Sequence, residues 1–84
     1  MRVDIYVYSL LRNGALPEFF LFERVEWQGT PPKTGIIVPL GNVLRQGVIT
    51  DVEITEDLIR LKVGTEKPRK VVREYCSRSK KDRE

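Results

Sequence analysis

The sequence predicts a small, mainly antiparallel β-barrel or rolled sheet of five or six short strands, followed by a basic C-terminal extension. Three observations carry that prediction. The apolar segments are short and rich in β-branched and aromatic residues, and several alternate with polar ones. Most of the glycines and prolines fall between those segments, where turns are expected. No window before residue 66 repeats its apolar residues at helical spacing. The chain has 84 residues, enough for one domain.

Strands are expected at about 2–8, 19–27, 35–40, 47–55 and 58–63. In the first, Val3, Ile5 and Val7 point to one side and Tyr6 and Tyr8 to the other, so both faces are apolar. Something must cover each of them. The second strand carries Phe20 and Phe22, and two registers join it to the first. A tight turn at Asn13-Gly14 sets Asp4 against Glu23, two acids together, and carries Pro17 into the ladder. A longer loop over residues 9–18 sets Asp4 against Arg24, Tyr6 against Phe22 and Tyr8 against Phe20. Val3 then meets Val25 and Val7 meets Leu21 on the other side. This second register is preferred. Its flaw is Glu23, which joins Ile5 on the core side unless it reaches the rim or a bulge intervenes. Trp27 is expected as a strand-end core residue.

Pro39 inside the third strand suggests an edge position. The last two strands form a hairpin around Thr55-Glu56-Asp57-Leu58. Val48, Val52 and Ile54 are expected on its inner face, against Ile59, Leu61 and Val63. Asp51 and Glu53 should pair across the ladder with Arg60 and Lys62. The run from Pro31-Pro32-Lys33-Thr34-Gly35 through Ile36-Ile37-Val38-Pro39-Leu40 and on to Val63 resembles the strands of small SH3-like barrels. There a Pro/Gly turn precedes a strand and a long bent hairpin follows. The resemblance covers about residues 31–63 and implies a module that binds peptides, nucleic acids or other subunits.

Charge divides the chain into a β-barrel domain over 1–65 and a basic extension over 66–84, expected to be ordered to about 78 at most. The first part holds seven basic and eight acidic residues, the second eight basic and four acidic. Val71, Val72, Tyr75 and Cys76 fit one side of a short helix over about 69–78, though a final strand also accommodates Val71 and Tyr75. The helix is preferred, and residues 78–84 are read as a polar, mobile end.

The chain contains no histidine and one cysteine, Cys76. That removes the commonest general base, any disulfide frame and a cysteine-rich zinc site. Glycine-rich phosphate loops and dinucleotide patterns are absent. Glu53, Glu56 and Asp57 cluster at an expected turn, and Ser77 and Ser79 lack a base to activate them. Independent enzymatic activity is therefore not expected, and no cofactor or metal is assigned. The expected function is an interaction module that binds another protein, or a second copy of itself, through an aromatic face of Tyr6, Tyr8, Phe20 and Phe22. The alternative is a nucleic-acid-binding module, in which those rings stack on bases while Lys67, Arg69, Lys70, Arg73, Arg78, Lys80 and Lys81 hold phosphates. A cytoplasmic location and no membrane association are the default expectations, given no apolar run of membrane-spanning length.

Overall fold

Side chains alternate along an extended strand, so a strand apolar on one parity forms one wall of a core. Five segments do this here and join into a single curled sheet, a half-barrel closed by one C-terminal helix. The structure is a computed structural model that describes residues 1–11 and 16–82, with side chains through Ser77. The Asn13-Gly14 turn of the disfavoured register lies outside the described residues.

The strands are β1 (Arg2–Ser9), β2 (Phe20–Glu26), β3 (Ile37–Leu40), β4 (Arg45–Ile54) and β5 (Leu58–Thr65). A single helical turn, α1 (Gly41–Leu44), joins β3 to β4, and α2 (Arg69–Asp82) follows β5. The order across the sheet is β2-β1-β5-β4-β3. Three pairs of sequence neighbours, β1–β2, β3–β4 and β4–β5, are antiparallel, as the alternation and turns predict. The central pair departs from an all-antiparallel sheet. β1 and β5 run parallel over their whole length, from Arg2 opposite Leu58 to Ser9 opposite Thr65. Strands related this way need a long crossover, and here β2, β3 and β4 all lie within it. Ten residues, 27–36, carry the chain from the β2 edge to the β3 edge, with Trp27 packed on the core and Pro32 buried. β3 is the edge strand that Pro39 implies.

The concave side of the sheet holds the core. Val3, Ile5 and Val7 of β1 meet Ile59, Leu61 and Val63 of β5 and Ile49 of β4, all buried. α2 lies across them. Pro68 opens this helix by accepting the Val72 N–H at 3.1 Å, and Val72 and Cys76 reach the core from one side of it. Each fully buried Val, Leu or Ile contributes about 1.5–3 kcal/mol by leaving water. The helix alternative for the tail is thus the observed one, and it runs to Asp82 rather than ending near residue 78.

Two β-bulges correct the expected registers. Between Ile5 and Tyr6 the β1–β2 ladder shifts by one, leaving Phe22 as the extra residue. Val3 faces Val25 and Asp4 faces Arg24 as expected, but Tyr6 then faces Leu21 and Val7 faces Phe20. In β4 the shift falls between Ile49 and Asp51, so Ile49 opposes Val63 in the core and Val48, expected there, is only half-buried opposite Gly64. Ile54, also expected inside, is exposed at the hairpin end.

Candidate functional site

A one-residue slip turns every later side chain to the other face. The β1–β2 bulge therefore divides the four aromatic residues singled out in the sequence. Phe20 and Phe22 pack on the core side, and the Phe22 ring stacks on Tyr75 of α2 with centroids 6.0 Å apart and planes 15° from parallel. Tyr6 and Tyr8 remain on the convex side, half-buried. Their companions there are Leu21, opposite Tyr6, and Phe19, whose ring meets Tyr8 edge-on at 5.0 Å. These two were not among the sequence candidates. No local pattern signals them, because the bulge falls after Glu23, which still stands opposite Ile5 as in the straight ladder.

The convex face is built in rungs across the strands. The apolar step consists of Leu21, Tyr6 and the stem of Lys62, with Tyr8 and Phe19 beside it. The Lys62 ammonium sits 5.0 Å from the centre of the Phe19 ring and 3.5 Å from Asp51. Tyr8 is tethered through its hydroxyl to Thr50 Oγ1 at 2.7 Å, and the Thr50 hydroxyl also reaches the Lys62 carbonyl at 3.2 Å. Thr50 holds this position because the β4 bulge sets it apart from the ladder.

The next rung is charged. Asp4 lies between Arg24 of β2 and Arg60 of β5, and Arg60 reaches Glu53 of β4 at 3.8 Å. The expected pairing of Asp51 and Glu53 with Lys62 and Arg60 is present, although exposed pairs of this kind stabilise a fold by only about 0–1 kcal/mol each. Asp4 differs from the others. Its side chain is 4% exposed, and Arg2 Nε and Arg24 Nε approach Oδ1 at 3.6 and 3.5 Å. Neither makes a hydrogen bond, and this oxygen has no hydrogen-bond donor.

The basic residues of the extension lie elsewhere. Lys67 is half-buried on the wall of an open groove of about 640 Å³, to which Leu10, Leu44, Arg45, Val48 and Gly64, the ladder partner of Tyr8, also contribute. Arg45 takes φ 62° and ψ −76° there, a sparsely populated conformation for a residue with a side chain. Arg69 pairs with Glu18 at 3.6 Å, and Lys70 and Arg73 are exposed on α2. The side chains of Arg78, Lys80 and Lys81 lie outside the described residues. α2 covers the concave side, so Lys70 and Arg73 lie across the sheet from the Tyr6–Tyr8 surface, whereas Lys67 precedes the helix.

Cys76 is buried in the core, and that burial pushes its thiol up to about 11. Such a thiol is a poor nucleophile. Glu56 and Asp57 are exposed at the β4–β5 turn, where the Thr55 hydroxyl donates to the Leu58 carbonyl at 2.8 Å. Among the described residues no three His, Cys, Asp or Glu side chains gather in a metal-binding group, and no helix is long and apolar enough to cross a membrane. Comparison with protein-family models, with curated proteins and with solved structures finds no match to this chain.

Proposed function

We propose that this protein is a non-enzymatic interaction module that docks another protein on the convex face of its sheet. The observation that carries the reading is the apolar step of Tyr6, Tyr8, Phe19 and Leu21, set among paired charges on a rigid sheet. Aromatic residues ringed by polar ones are the usual composition of an interface core. The Tyr8–Thr50 and Tyr8–Phe19 contacts hold the rings in place, so little side-chain freedom is lost on docking. A second copy of the chain is the simplest protein to test. The resemblance to SH3-like modules belongs to the same proposal, on the strength of the β3–β4–β5 meander, and so does a cytoplasmic location.

The nucleic-acid alternative asks one ligand to meet both the aromatic rings and the tail cations. The sheet stands between Tyr6 and Tyr8 on one side and Lys70 and Arg73 on the other. Lys62 also occupies one face of the Phe19 ring, where a base would stack. The protein reading is therefore preferred.

Sedimentation of the wild type and of Tyr8→Glu and Phe19→Glu variants tests it. If the partner is a second copy, both variants sediment as monomers with their circular dichroism unchanged. For a different partner, both lose a complex that the wild type forms. Variants that keep every association of the wild type would remove the convex face from consideration.

A further inference from the structure

We infer that the docking face selects a partner segment that carries a carboxylate next to an apolar side chain, with Arg2 and Arg24 receiving the carboxylate above Asp4. This rests on the convex face being the docking surface and adds the chemistry of what docks.

The argument begins with charge. On this face the pairs are one to one at Lys62 with Asp51, at Arg60 with Glu53, and at the N-terminal ammonium with Glu26, 3.2 Å apart. At Asp4 the ratio is two to one, because Arg2 and Arg24 share a single carboxylate. Among the described residues neither arginine has a second acidic partner. One positive charge is left over, and it is located between these two side chains.

Geometry makes that charge usable. Asp4 is buried beneath the two arginines, whose side chains are 51% and 58% exposed. Both approach it through Nε and outside hydrogen-bond range, so the outer N–H groups of each guanidinium stay available. Those groups form a planar fork that matches a carboxylate. The buried Asp4 charge holds both forks over one point of the sheet, as a pedestal beneath an anion seat. Tyr6 lies two residues further along β1 on the same face, about 6.6 Å away along the strand, with Leu21 opposite it. Residues i and i+2 of an extended partner segment have the same spacing. One carboxylate and one apolar side chain, on alternate residues, therefore fill both places. A polyphosphate chain would instead pass over Asp51, Glu53 and Glu26 on the same face.

The test uses the full chain with its arginine side chains labelled for nuclear magnetic resonance. One probe is an end-blocked hexapeptide with glutamate at its second position, phenylalanine at its fourth and serine elsewhere, so that both side chains share one face of the extended chain; the second replaces the glutamate with glutamine; the third is a thymidine oligonucleotide. The glutamate peptide should move the Arg2 and Arg24 Nε–H signals together with the Tyr6 ring. Its affinity should fall about tenfold on glutamine replacement or in an Arg2→Gln/Arg24→Gln double variant, as expected for losing one charge-assisted contact. Equal binding of both peptides on Tyr6 and Phe19 would overturn carboxylate selection and leave the docking face standing. If neither peptide moves that face, both ideas fall. Tighter binding of the oligonucleotide than of the glutamate peptide at physiological salt would overturn the inference in favour of nucleic acid.

Discussion

Truncating Phe22 should cost more stability than truncating Phe19, and the order of the two losses reports directly on the β1–β2 bulge. A fully buried phenylalanine replaced by alanine loses about 3–5 kcal/mol. Phe22 is half-buried, which brings the figure to roughly 2 kcal/mol, and its stacked contact with Tyr75 adds about 0.5–1 kcal/mol. Phe19 is 38% exposed and gives up an edge contact with Tyr8 and a cation contact with Lys62, together about 1 kcal/mol. Urea denaturation followed by tryptophan fluorescence or circular dichroism measures both. With a slope of about 1 kcal/mol per molar urea, Phe22→Ala should lower the midpoint by roughly 2–3 M and Phe19→Ala by roughly 1 M. In a straight ladder Phe19 and Leu21 share the side of Val7, while Phe20 and Phe22 face outward. The order of the losses would then reverse. Equal losses, or a larger one for Phe19, would refute both the bulged register and the docking surface built on it.

Further tests follow from other contacts. Gly41 has φ 90°, and a Cβ there would run into the Tyr75 hydroxyl, so Gly41→Ala should lower the melting temperature by several degrees for each kcal/mol lost. Thr50→Val removes the partner of the Tyr8 hydroxyl, should cost about 0.5–1.5 kcal/mol, and should broaden the Tyr8 ring signals in magnetic resonance spectra; sharp, unshifted signals would contradict the tether. Burial raises the Cys76 thiol from 9.0 to about 11. The unfolded chain therefore loses this proton first, and the folded state should weaken as pH rises through that interval, with no effect below it. Cys76→Ala should flatten that part of the curve, and an unchanged slope would show that Cys76 does not contribute. Deleting residues 69–84 should leave an unfolded or aggregated chain, because Val72 and Cys76 complete the core; a soluble, folded product would contradict the role given to α2. For the same reason, a loss of nucleic-acid binding after that deletion would say nothing about phosphate contacts.

Much of this fold is legible from local pattern alone. Val3, Ile5 and Val7, like Ile59, Leu61 and Val63, announce strands with one buried wall, and Pro39 marks its strand as an edge. Val72 and Cys76, four apart, mark the buried side of a helix. The two bulges and the parallel β1–β5 pair are a different matter. A bulge leaves one residue out of the ladder and is repaid by contacts with distant elements: Phe22 with Tyr75, and Thr50 with Tyr8. Such contacts join residues far apart in sequence, and no window of local pattern contains them. The candidate site suffered most, since the face on which an aromatic residue sits depends on one unit of register. Tyr6 and Tyr8 keep their face because the extra residue, Phe22, lies in β2, while Phe20 and Phe22 exchanged places with Phe19 and Leu21.

The parallel pairing of β1 with β5 also constrains how the molecule reaches its native state. The first strand to be synthesised finds its central neighbour only after some fifty further residues have appeared, and the helix that seals the core is made later still. Closing so long a loop must precede the contacts that reward it, which slows the transition state and leaves the nascent β1–β2 hairpin with an uncovered apolar wall. Until α2 emerges, Val3, Ile5 and Val7 are available to the wrong neighbours, so expression at high rate should favour inclusion bodies over soluble product.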